Sequence, residues 1–379
     1  MARHLITNAR VVTPEEVFLG TVEWLAGRIV RVDLGATRAP GAEDLGGDFL
    51  LPGLVEIHTD NLEKQLEPRP GVRWPPASAV VMHDSQVAAA GITTVLDALG
   101  VGDFDEHSVR AQMLNATLAA LRHARAGGSL RADHWLHLRC ELPCAQVVEM
   151  TRALIDDPHV RLVSLMDHTP GQRQWMDLDK FRIYYQKDSR WSDEKLEGEV
   201  ARLQALRACH AERNREAALA LARERGIAVA SHDDTLVEHI HEGIEAGIGI
   251  SEFPTSEAAA RAARTHGMCI VMGAPNLVRG GSHSGNVSAL DLARLDLLDA
   301  LSSDYVPHAL LHGAFLLRDA AGWPLPRAVA TASLNPARMV GFDDRGAIAI
   351  GQRADMVRVR EIDGVPVPLT TWRGGERVA

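Results

Sequence analysis

Five polar residues stand at the carboxyl ends of apolar runs. His58 follows PGLVEI, Glu141 follows WLHLRC, His168 follows VRLVSLMD, His232 follows IAVAS and Asp304 follows LDALSS. Asp60 comes two residues after His58, and on an extended backbone residues i and i+2 point the same way, so an imidazole and a carboxylate can face one cation. Mixed nitrogen and oxygen donors suit zinc, manganese, iron or cobalt better than magnesium or calcium. The expected cofactor is therefore a divalent transition metal, zinc first and manganese or iron as alternatives, present as one ion or two. Its expected ligands are His58, Asp60, Glu141, His168, His232 and Asp304. Glu141, with two oxygens, is the candidate bridge between paired ions. A cation so held lowers the pKa of a water and polarises a carbonyl or phosphoryl oxygen. Asp304, and with it Glu141, is the expected catalytic carboxylate, placed to orient that water or take its proton.

A second group of residues suits an anionic substrate. Arg279 opens RGGSHSGN, whose glycines let backbone N–H groups approach phosphate oxygens closely, although the GK[ST] of a P-loop is missing. Arg279, His283, Ser284 and Asn286 are its candidate substrate contacts, joined by Lys64 and Arg173 from elsewhere in the chain. Cys140 and Cys144 form C-x3-C without a second cysteine pair, which argues against a thiolate zinc site. His83 and Asp84 fall on a helix, where a supporting hydrogen bond is the simpler role.

These residues need a scaffold that gathers strand ends. Eight apolar strands are expected: Leu50 to Ile57, Ile92 to Leu99, Trp135 to Cys140, Val160 to Met166, Ile227 to Ser231, Ile248 to Phe253, Cys269 to Met272 and Ala300 to Ser303. Helical stretches over about 78–90, 108–126 and 193–225 lie between them. The alternation predicts a (β/α)8 barrel over residues 51–344, whose active face is the carboxyl end of the strands. A doubly wound open sheet is the competing fold, weakened by the lack of GxGxxG after the first strand. Both chain ends read as short β segments: Leu5 to Val12, Thr21 to Trp24 and Ile29 to Val32 at the start, then Ala347 to Ile350, Asp355 to Val359, Pro366 to Thr371 and Glu376 to Val378. Neither end can bury a core alone, so residues 1–50 and 345–379 are expected to form one small β-sandwich domain together. The polar stretch Tyr184 to Glu199 reads as a loop and helix face exposed to solvent, with a lid as the sharper alternative.

Composition narrows the function classes. The 379 residues carry 50 acidic and 40 basic side chains, a formal charge of −10, which disfavours a surface built for nucleic acid or anionic membrane. Four cysteines in such a length form no disulfide framework, and no run of about 18 uncharged apolar residues occurs. A cytoplasmic enzyme is expected, with a small-molecule substrate and no nucleic acid or membrane partner; homo-oligomerisation stays open. A metal-free scaffold would have lost the donors, yet all of them remain.

LLPGLVEIHTDN, GITTVLDAL, SHDD, SSDY and GAIAIGQRADMV together resemble the amidohydrolase superfamily. The resemblance implies a metal-bearing (β/α)8 barrel with a composite β domain. Longer strings, HTDNLEK, HLRCELP, LVSLMDHTPGQRQ, EFPT and MGAPNLVRGGSHSGN, are similar to its members that hydrolyse a ribose 5-triphosphate in bacterial phosphonate breakdown. That branch implies a phosphorylated sugar substrate, cut to a 5-phosphate and pyrophosphate; hydrolysis of a C–N bond in an amide is the alternative within the superfamily. The chain departs from the usual His-x-His of the first strand, reading His58-Thr59-Asp60, and from the usual carbamylated lysine bridge. It also puts His168 and His232 one strand earlier than the common pattern.

Overall fold

The computed structural model describes residues 3–104, 109–179, 181–183, 192–282 and 285–379. Runs of buried aliphatic residues form the barrel strands: β6 (Leu54–Thr59), β7 (Ile92–Val101), β8 (Asp133–Glu141), β9 (Val160–Met166), β10 (Ala228–His232), β11 (Ile250–Glu252), β12 (Cys269–Gly273) and β13 (Ala300–Ser302). All ten residues of β7 are buried, the pattern of a parallel strand covered on both faces. Among the described residues these strands hydrogen-bond in sequence order as one parallel sheet. The ends of that sheet meet: Asp60 N donates to Asp304 O at 2.7 Å and Asp304 N to His58 O at 3.1 Å. Beneath this seam the buried Glu56 carboxylate accepts His58 N at 2.6 Å and also Ser303 N. Burial, opposed by these donors, pushes Glu56 up to about 7.

The strand order keeps the expected count, with Glu141 on the third barrel strand, His168 after the fourth, His232 ending the fifth and Asp304 after the eighth. One expected strand divides. Leu50 to Ile57 breaks at Gly53, whose N–H is drawn away to Asp355 O at 2.8 Å, after Pro52, which has no N–H to give. A Cβ at Gly53 would lie 2.3 Å from Thr93 Oγ1, so the chain turns there from one sheet to the other.

The other sheet joins the chain ends. Its strands β1 (Arg3–Val12), β2 (Val17–Leu25), β3 (Arg28–Leu34), β4 (Glu43–Asp44), β5 (Phe49–Pro52), β14 (Met356–Ile362), β15 (Val365–Arg373) and β16 (Glu376–Arg377) run in the order β16-β15-β14-β5-β1-β2-β3, with β4 on β1. The antiparallel β5–β14 ladder is the seam between the two ends of the chain. The expected strand Ala347 to Ile350 is a turn instead, because its backbone bonds locally, Gln352 N to Ala349 O at 3.2 Å. Ile6, Val22, Trp24, Leu50, Met356 and Trp372 form this sheet's own core.

Helices α1 (Asn61–Leu66), α2 (Pro76–Ala89), α3 (Val109–Ala126), α4 (Val147–Leu154) and α5 (Asp193–Glu224) cover the first half of the barrel. Ser192 caps α5 by accepting from Lys195 N. Tyr184 to Trp191, the first half of the polar excursion, lie outside the described residues, and 192–199 belong to the cap and first turns of α5. No helix among the described residues is long and apolar enough to cross a membrane.

Candidate active site

A cleft of about 510 Å3 opens at the carboxyl ends of the barrel strands, where His58, Asp60, Glu141, His168, His232 and Asp304 all reach its lining. Local backbone conformation contributes to this convergence. Asp233, Phe253 and Asp304 adopt left-handed φ values of 56°, 56° and 53° at the ends of barrel strands, and Arg173 one of 45° in the loop after β9. Such values cost a residue with a side chain free energy and cluster where function needs an unusual direction.

Glu252, the last residue of β11, organises the two deepest imidazoles. Its Oε1 accepts His58 Nδ1 and its Oε2 accepts His232 Nδ1, both at 2.7 Å, while Ser164 Oγ donates to Oε2 at 2.8 Å. With Nδ1–H committed to a carboxylate, each ring keeps Nε2 for the cleft, the arrangement that orients histidines toward a metal. Burial disfavours charge on Glu252, yet the neighbouring imidazoles hold it well below the usual carboxylate range. Burial likewise opposes charge on His58, but Glu252 outweighs it and raises the ring. The Phe253 ring meets both imidazoles edge-on, at 4.9 and 5.4 Å between centroids.

Two donor trios face the cleft. In the first, His58, Asp60 and Asp304 bring ligand atoms within 4.8 Å of one another; in the second, His168, His232 and Asp233 do the same. Burial, reinforced by the Asp60 charge, pushes Asp304 up to about 6. These nitrogens and carboxylate oxygens, oriented by Glu252, fit a divalent metal ion.

Glu141 stands differently from its expected place as a bridging ligand. Its Oε1 accepts His168 N at 3.0 Å and its Oε2 accepts His168 Nδ1 at 2.6 Å, so it holds His168 and belongs to neither trio. Burial would raise Glu141, but His168 dominates and lowers it. Arg139, two residues earlier on β8, donates from Nη1 to Asp60 Oδ1.

The expected substrate contacts divide. Arg279 and Asn286 line the cleft beside Gly281 and Ser282, whereas His283 and Ser284 lie outside the described residues. Arg173 is turned away from the cleft: its Nη1 donates to His232 O at 2.8 Å and Asp234 Oδ1 at 2.7 Å, which ties the loop after β9 to the end of β10. Lys64 donates to Tyr305 O at 3.2 Å and lies over the Tyr305 ring, and Tyr305, rather than Lys64, lines the cleft. Sequence reading missed Glu252. Glu252 carries the same signal as the other donors, a polar residue closing a strand, but the expected strand ran on to Phe253, whereas β11 ends at Glu252. Trp175 also lines the cleft, and no spacing rule pointed to it.

A profile of the amidohydrolase family matches residues 208–378. Over 376 residues the chain is 45% identical to the alpha-D-ribose 1-methylphosphonate 5-triphosphate diphosphatase of Escherichia coli (strain K12), covering 99% of this chain and 100% of that relative. Among solved structures, N-acetyl-D-glucosamine-6-phosphate deacetylase from Mycobacterium smegmatis superposes with a TM-score of 0.65 at 20% identity, covering 99% and 100% of the two chains. A 5-methylcytosine deaminase from Klebsiella pneumoniae gives 0.66 at 16% identity, covering 99% and 98%. At those identities the two structures speak to the fold alone.

Proposed function

Because the chain belongs to the amidohydrolase family, in the branch of the Escherichia coli diphosphatase, we propose that it hydrolyses alpha-D-ribose 1-methylphosphonate 5-triphosphate to the 5-phosphate and pyrophosphate in phosphonate catabolism. The observation that carries the substrate is identity of 45% sustained over 99% of the chain. The donors offered to divalent metal are His58, Asp60 and Asp304 on one side and His168, His232 and Asp233 on the other, with zinc the leading candidate and manganese or iron next. When bound, such an ion makes water a competent nucleophile near neutral pH and withdraws electrons from a phosphoryl oxygen.

The side chains supply the remaining work. Asp304 takes the proton of the attacking water on its carboxylate, a role suited to a carboxyl raised to about 6. Water adds to phosphorus and the oxygen bridging the α and β phosphates departs with pyrophosphate. Glu252 fixes the tautomers of His58 and His232, and Glu141 orients His168. Arg279, Asn286 and the backbone at Gly281 and Ser282 receive the phosphate oxygens, with His283 and Ser284 of the same loop as further contacts. Arg139 adds fixed positive charge at the floor. The chain acts in the cytoplasm as a protein without nucleic-acid partners.

Purified protein reconstituted with zinc or manganese is expected to release pyrophosphate from a ribose 5-triphosphate, read by a coupled pyrophosphate assay. Inertness toward the triphosphate alongside turnover of a cyclic amide would overturn the proposal.

A further inference from the structure

Arg139 is a permanent charge in a cleft otherwise lined at its floor by carboxylates and imidazoles. Its side chain is 7% exposed, against 25% for the Asp60 side chain that it meets. Standing two residues before Glu141 on one strand, it leaves the same face and lines the same cleft. Its charge also acts on three neighbours, opposing the rise of His58 and Asp304 and adding to the fall of Glu141. The two donor trios therefore differ. The first contains Asp60, which already accepts the guanidinium. In the second, among the described residues, Asp233 is paired with imidazoles alone, His232 Nε2 at 3.5 Å and His168 Nε2 at 3.9 Å.

Given the reading of both trios as metal donors, we infer that the centre takes one divalent ion, at His168, His232 and Asp233, and that the Arg139 guanidinium stands in for a second cation at Asp60. A guanidinium stays protonated at any pH the protein survives, so it cannot give way by losing its charge. An ion at Asp60 would have to break the Arg139 pair or sit beside a like charge in a cleft that water screens weakly. The fixed cation also serves an anionic substrate: it neutralises Asp60, which would otherwise repel a triphosphate, and it does so whatever the metal supply.

The test is metal stoichiometry, independent of turnover. Metal-stripped wild-type protein and the Asp60→Asn and Arg139→Met variants are equilibrated with zinc chloride, passed through gel filtration and analysed for zinc per chain by plasma mass spectrometry. One zinc in wild type, one in Asp60→Asn and two in Arg139→Met are expected. Two zincs in wild type, loss of zinc in Asp60→Asn, or one zinc in a folded Arg139→Met protein would each overturn the inference. Should Arg139→Met lose its circular dichroism signature, wild type and Asp60→Asn decide alone. Absence of zinc from reconstituted wild type would remove the metal reading together with the inference, whereas two zincs remove the inference only.

Discussion

At the scale of single residues, most of the chemistry depends on which atom of a side chain is left available. Glu252 takes the Nδ1 protons of His58 and His232, and so both rings present Nε2. Glu252→Gln replaces an acceptor with an amide that can satisfy only one ring as before. Metal affinity in that variant is expected to fall about 10- to 100-fold, the usual scale for losing a group that orients ligands, with the fold unchanged. Competition against a chelating dye measures it, and unchanged affinity would contradict the orienting role. Arg279 tests the contact with substrate. It is exposed and lines the cleft, so Arg279→Ala should weaken ground-state and transition-state binding alike. A rise in KM of about tenfold with kcat nearly constant is expected in steady-state kinetics. A fall in kcat at constant KM would place Arg279 on the reacting phosphorus instead.

Elements are held in register by buried polar networks as much as by aliphatic packing. Between α2, β7 and β8, Asp97 accepts His83 Nε2 at 2.8 Å and His134 Nδ1 at 2.9 Å, and His134 Nε2 meets Asp84 Oδ1 at 3.2 Å. Asn61, next to Asp60 at the start of α1, donates to His83 Nδ1 at 2.9 Å, so the network reaches the turn after the first barrel strand. Burial opposes charge on His134, but Asp97 and Asp84 outweigh it and push the ring up to about 9. Burial also opposes charge on Asp97, which His134 and His83 nonetheless hold below the usual carboxylate range. The raised histidine contributes stability that is complete below its unfolded value of about 6.5 and is lost as pH rises through about 9. The depressed aspartate works in the opposite sense, contributing above about 3.9 and losing that contribution as pH falls. His134→Gln should therefore cost about 3–5 kcal/mol near pH 6.5, the scale for breaking a buried charged pair. The gap to wild type should narrow above pH 9. Urea unfolding midpoints at pH 6.5 and 9.5 check this, and a pH-independent gap would refute the charged state of His134.

At the scale of the whole molecule, the sheet made by the chain ends keeps a core of its own and also packs into that of the barrel. Phe49, Leu51, Val357 and Val359 come from the sheet made by the chain ends, yet they pack in the same cluster as the barrel helices. Thr371 Oγ1 donates to Ala88 O at 2.9 Å, and Arg373 Nη1 to Leu130 O and Ala132 O, each at 3.0 Å. Deleting residues 365–379 is thus expected to destabilise the barrel as well as the small sheet. Full-length protein should unfold calorimetrically in one transition, and the shortened chain at a lower temperature. Two separated transitions, with the barrel's transition unmoved by the deletion, would show the sheets to be independent. Much of this architecture was legible in the sequence because hydrophobic periodicity and glycine punctuation are local properties: the order of eight parallel strands, the pairing of the ends and the cleft-facing positions of His58, Asp60, His168, His232 and Asp304 follow from them. The composition also set a net charge of −10, while leaving the local charge of the cleft open. Tertiary structure alone decided how each donor is used. Glu141 turned to His168, Arg173 to Asp234, Lys64 to Tyr305, and Glu252, inside an expected strand, became the hub of two histidines. Sequence position determines which strand end a side chain leaves from. Which atom it meets depends on distances across the barrel between residues as far apart as His58 and Glu252, 194 positions along the chain, and those are set only when the barrel closes.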